Sequence, residues 1–167
     1  NGPYTETDIA GPINYCGSSK LAAEKSVMAS GLPWCIIRTV LVYGNILVGN
    51  RSNIIRWVQE NLSTGKKIKV VSDQWRTPTY VEDLAKGIVS IIEKKATGIY
   101  HISGDETFTP YDMAVKTVEY LGLNKNLLNK VTAASFKEPA KRPPMAGFII
   151  DKAKKEFIYA INCYGLK

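Results

Sequence analysis

Between Ile13 and Lys25 the sequence reads INYCGSSKLAAEK, placing a phenol, a thiol and an ammonium close together along the chain. If the segment is helical, each residue advances about 100°, so Cys16 and Lys20, at i and i+4, lie only about 40° apart. Tyr15, at i and i+5 to Lys20, points about 140° away. A cation beside a weak acid favours its charged form, and free phenols and thiols titrate near ~10 and ~8.5. The stretch therefore has the ingredients of a proton donor, with a thiol rather than a phenol on the side of Lys20.

Other reactive residue types carry less. His101, the single histidine, sits in IYHIS without Cys, Asp or Glu at ligand spacing, so it reads as a core or edge residue rather than a base or metal ligand. Glu82 and Asp83 are adjacent and point apart on a helix, where they complement its dipole. Cys16, Cys35 and Cys163 are far apart and odd in number, as expected of reduced thiols in a cytoplasmic protein. No metal site is expected. Asn50-Arg51-Ser52 and Asn61-Leu62-Ser63 match the glycosylation pattern, but NGPYTETD has no secretory character.

The formal charge of +7 comes from dispersed lysines without interleaved aromatics, which argues against a nucleic-acid surface. No apolar run approaches the roughly 18 residues that span a bilayer. GKK at Gly65 to Lys67 lacks the remainder of a phosphate loop.

The elements that must position these residues alternate. A loop to Asn14 precedes a helix from Cys16 to about Ser30, with Leu21, Ala22, Val27 and Met28 as its apolar face and Gly31 and Pro33 as its stop. WCIIRTVLVYG begins as a strand buried on both faces. A helix over Asn53 to Leu62 and a strand over Lys67 to Val71 follow. Val81 to Lys94 is an amphipathic helix with Leu84, Ala85, Ile88, Ile91 and Ile92 on one side. GIYHIS is a second buried strand. Thr109 and Pro110 open a further helix that Gly122 closes, and a short helix lies around Asp151 to Phe157. Strands alternating with helices mean α/β. No glycine-rich turn for a dinucleotide pyrophosphate occurs in these residues.

NYCGSSKLAAEK, IIRTVLVYGN, RTPTYVEDLAKGI, GIYHISGDE and RPPMAGFIIDKAKKEF occur in the order and spacing of the extended short-chain dehydrogenase/reductases. The chain most resembles the branch containing dTDP-4-dehydrorhamnose reductase, over nearly its whole length. The resemblance implies the C-terminal half of such a protein: part of a Rossmann-type parallel sheet plus a small substrate-binding lobe, the dinucleotide-binding half preceding Asn1. Residues 1–104 then supply the later core with part of the lobe, and residues 105–167 most of the lobe. An open sheet edge would favour self-association into a homo-oligomer.

The resemblance also implies roles. A Tyr and a Lys four residues later serve such enzymes as acid and partner cation, the Lys also holding the nicotinamide ribose of NAD or NADP. Here Lys20 matches the lysine and Cys16 the tyrosine. Three readings stay open: a replacement that removes the phenol, a thiol acid of short reach, or Tyr15 acting through a local distortion. Tyr43 and Gly44 resemble the turn beneath the nicotinamide. Arg76 and Arg142 stand where relatives hold a nucleotide-sugar pyrophosphate, with Trp75 and Asn53 as further substrate contacts. The implied activity is an NAD(P)-dependent reduction of a nucleotide-activated 4-keto sugar. Epimerases and dehydratases of the same superfamily share these motifs. So does a regulatory subunit of methionine adenosyltransferase, which serves as a partner rather than an enzyme.

Overall fold

Among the described residues, buried apolar side chains from helices and strands gather in two separate cores. The computed structural model describes residues 2–44, 53–137 and 140–157; Cys163 and the Asn50-Arg51-Ser52 motif lie outside them. The order is α1 (Tyr15–Met28), β1 (Cys35–Arg38), β2 (Val42–Tyr43), α2 (Ile54–Ser63), β3 (Ile68–Val71) and β4 (Thr79–Tyr80). Then come α3 (Val81–Glu93), β5 (Gly98–His101), α4 (Pro110–Leu121), β6 (Leu128–Val131) and α5 (Asp151–Phe157).

Among the described residues the three strand pairs are all parallel. β1 runs beside β5 with Cys35 opposite Gly98. β2 runs beside β4 with Val42 opposite Thr79, and β3 beside β6 with Ile68 opposite Leu128. Parallel neighbours need crossover connections, which the helices supply, so the chain is α/β with parallel, Rossmann-type pairing. One core joins Val58 and Leu62 of α2 to Ile68 and Val70 of β3, Ala114 and Val118 of α4, and Leu128. The other joins Ile91, Tyr100, Ile102, Ala153 and Phe157.

Helix ends obey local chemistry. Thr109 and Asp112 form a reciprocal capping box at the start of α4, Pro110 takes its first position, and Gly122 closes it at φ 63°.

Packing faces depart from the periodic pattern. On α1 none of Leu21, Ala22, Val27 and Met28 is buried; the half-buried line is Gly17, Leu21, Glu24 and Met28. An ion pair seats it: Arg38 of β1 donates to Glu24 at 2.9 Å from Nε and 2.6 Å from Nη2. On α3 the buried line is Asp83, Gly87 and Ile91, while Ile88 and Ile92 are exposed, because α3 packs on α5 and β4 along that rotated side. WCIIRTVLVYG divides into β1 and β2 around Leu41, at φ 46°. β1 is half-buried rather than buried on both faces, and among the described residues its one strand neighbour is β5. The opening loop is also partly woven in: Tyr4 bridges to Phe148, its N–H donating to the Gly147 carbonyl at 2.9 Å and its carbonyl accepting from Ile149 at 2.8 Å.

Candidate functional site

Asn14 starts α1 from an extended backbone, φ −150° and ψ 166°. Its side-chain oxygen accepts from the Gly17 N–H at 2.8 Å, satisfying one of the donors that a helix start leaves unpaired. Tyr15 and Cys16 occupy the turn this cap creates, and Lys20 follows one turn on. All three are exposed, Tyr15 to 88%. Among the described residues no carboxylate pairs with the Lys20 ammonium.

The same Asn14 side chain reaches further. Its Nδ2 donates to the Lys141 carbonyl at 2.9 Å, tying the helix start to the loop that bears Arg142. That loop is held again beyond Arg142: the Trp75 N–H donates to the Pro144 carbonyl at 2.7 Å, and the Ala146 N–H to the Trp75 carbonyl at 3.0 Å. Trp75 therefore brings its neighbour Arg76 to the Arg142 loop.

Arg76 is half-buried. Its guanidinium donates to the Trp75 carbonyl at 2.7 Å and to the Gln74 side-chain oxygen at 3.4 Å. Burial first, and then the like charge of Arg142, push its pKa below the usual arginine value. A guanidinium stays protonated at neutral pH all the same. Among the described residues no carboxylate pairs with Arg76, so its charge is met only by neutral acceptors. An anion held by Arg76 and Arg142 would offset the repulsion between them and the cost of burying the Arg76 charge. Beside Arg142 lies a cavity of about 360 Å³ lined by Ile13, Gln74, Phe136, Lys141 and Pro144.

The structure thus gathers Trp75, Arg76 and Arg142, and links them through Asn14 to the helix of Tyr15, Cys16 and Lys20. The remaining candidates stand elsewhere. The Tyr43 ring is buried against Tyr80, with centroids 5.7 Å apart. Gly44 has φ 153°, and a Cβ there would fall 2.3 Å from a Val81 methyl, so a side chain at that point would separate β2 from α3. Asn53 accepts from the Arg56 N–H at 3.0 Å as the cap of α2 and donates to the Gly44 carbonyl at 2.6 Å. Its amide is engaged by protein groups at both ends.

His101 is wholly buried, stacked on Phe148 at 4.1 Å, with Nδ1 3.1 Å from the Tyr4 carbonyl. Asp83 is buried at the first turn of α3, where its carboxylate lies 3.6 Å from the Lys86 ammonium.

The sequence reading missed Asn14, Gln74, Phe136 and Lys141. An Asn directly before a helix is a cap signal, and Lys141 adjoins Arg142 in the sequence. Gln74 and Phe136 reach the cavity only through tertiary packing.

Residues 1–165 match the RmlD substrate binding domain. dTDP-4-dehydrorhamnose reductase of Escherichia coli (strain K12) is 30% identical over 93% of this chain and 54% of its own length. Methionine adenosyltransferase 2 subunit beta of Rattus norvegicus is 31% identical over 79% of this chain and 41% of its own. The chain spans about half the length of the curated relatives it matches. Among solved structures, dTDP-4-dehydrorhamnose reductase of Bacillus anthracis in complex with NADP superposes with a TM-score of 0.82 at 28% identity, covering 96% of this chain and 61% of that one. With nearly every residue matched in order, this chain belongs to the RmlD substrate binding domain family.

Proposed function

We propose that this chain supplies the substrate-binding part of an NAD(P)-dependent reductase of a nucleotide-activated 4-keto sugar, of the dTDP-4-dehydrorhamnose reductase kind. The observation that carries the reading is the convergence of Arg76 and Arg142. Backbone bonds from Trp75 to Pro144 and Ala146 hold the Arg142 loop against the segment of Arg76, Arg142 lines a cavity within the ligand-sized range, and a diphosphate suits two planar forks. Trp75 and Phe136, each 39% exposed, offer aromatic surface for a base or sugar. Residues 1–104 would contribute the later part of the Rossmann-type core with part of the lobe, and residues 105–167 most of the lobe.

A nicotinamide dinucleotide, when bound, supplies the hydride. Lys20 fits its ribose end, being exposed on α1 with no carboxylate partner among the described residues. The glycine-rich turn that holds a pyrophosphate is not among these 167 residues. The acid that protonates the carbonyl oxygen of the sugar would stand on the same helix, one turn before Lys20. At this position the chain has Cys16, whose side chain is shorter than a tyrosine.

That substitution favours a second reading, a binding or regulatory protein that keeps the frame without the acid, as the likeness to methionine adenosyltransferase 2 subunit beta also allows.

Calorimetric titration of dTDP into the 167-residue chain tests the common ground. Micromolar binding is expected, and no binding overturns the nucleotide-sugar reading. Cys16→Tyr in a chain completed by a dinucleotide-binding half then separates the two. NADPH oxidation with a dTDP-4-keto sugar supports the reductase; none, with dTDP binding intact, supports the regulatory protein.

A further inference from the structure

We propose that Asn14 is a positioning residue that sets the distance between the anion-binding arginines and the helix face of position 16 and Lys20. The proposal rests on the nucleotide-sugar reading above. Its basis is that one amide does two jobs at once. The oxygen caps α1 through Gly17 at 2.8 Å, and the nitrogen holds the Lys141 carbonyl at 2.9 Å. The Asn14 carbonyl also accepts from the Ser18 N–H at 3.0 Å, so the residue belongs mechanically to the helix.

Arg142 stands between two anchors. On one side Asn14 holds Lys141; on the other the Trp75 backbone holds Pro144 and Ala146. Pro143 and Pro144 restrict the backbone between them. With the Trp75 anchor alone, the loop could pivot about Pro144 and carry Arg142 away from Arg76. The Asn14 bond closes that pivot. It joins residues 127 apart in sequence, and its neighbour Ile13 lines the same cavity as Lys141 and Arg142. Anion placement and helix placement are therefore linked directly through this side chain.

The test separates the two jobs. Asn14→Ser and Asn14→Thr keep an oxygen that caps a helix but lose the amide donor. Both should retain the far-UV circular dichroism and melting behaviour of the parent. Their dTDP affinity, measured by calorimetry, should fall about fivefold, the worth of a typical hydrogen bond. A double-mutant cycle supplies the decisive readout. Because Asn14 acts by placing Arg142, Asn14→Ser combined with Arg142→Ala should bind dTDP no more weakly than Arg142→Ala alone. Unchanged affinity in both Asn14 variants, or losses that multiply in the double variant, overturns the proposal. If the parent chain binds no dTDP, the nucleotide-sugar reading itself fails and the positioning role falls with it.

Discussion

Arg38 donates two hydrogen bonds to Glu24 across the seam between α1 and β1, at 2.9 Å and 2.6 Å, and through them a helix with no buried residue is seated on the sheet. A two-pronged contact of this kind fixes orientation as well as distance. The placement of Lys20 and Cys16 therefore depends on a charged pair as well as on the half-buried Leu21 and Met28.

Acid should loosen that seat. Hydrogen bonding from Arg38 holds the Glu24 carboxyl below its ordinary pKa. The lowered folded value means the contribution is complete above the unfolded carboxyl pKa of about 4.3 and is lost as pH falls through the folded value. Glu24→Gln should be less stable than the parent at neutral pH, and the two melting temperatures should converge as pH drops from about 5 to 3. Parallel curves across that window would show that the pair contributes nothing.

The single histidine gives a cleaner titration. Burial pushes the His101 imidazole below its usual pKa, against the opposing influence of Glu6. The unfolded chain then binds a proton first as pH falls below about 6.5, so stability should decline from that point downward. A proton NMR titration of the imidazole should show a midpoint below about 6.5. A midpoint at or above that value would mean that Glu6 outweighs burial.

Arg76 should trade stability against binding. Its half-buried charge sits near Arg142 without a carboxylate partner among the described residues. Arg76→Gln removes the repulsion and the desolvation together, so the melting temperature should stay within about 2 °C of the parent or rise. dTDP affinity should fall by about tenfold or more, as expected for a charge-assisted contact. A lower melting temperature with unchanged affinity would assign Arg76 to packing alone.

What could be read in the sequence was chiefly what is local. Thr109 before Pro110, and Gly122 at the end of the same helix, act through neighbours in the chain, and both end conditions appear in the structure. The faces of α1 and α3 could not be read that way, because a helix turns toward whatever packs on it. Asp83 and Gly87 are buried while Ile88 and Ile92 are exposed, an arrangement that no hydrophobic period describes. At the site, resemblance marked Arg76 and Arg142 separately. Their convergence through Trp75, and the reach of Asn14 to Lys141, are long-range contacts that no local pattern carries.

The all-parallel pairing has a consequence for how the protein is made. Among the described residues no strand finds its partner through a hairpin: Cys35 pairs with Gly98, Val42 with Thr79 and Ile68 with Leu128. As the chain leaves the ribosome, each early strand emerges with its edge open and stays so until a much later segment has been synthesised. Such non-local closure is intrinsically slow. A nascent chain halted after α3 would carry β1 and β3 unmatched, a form that chaperones bind and that aggregates when they do not.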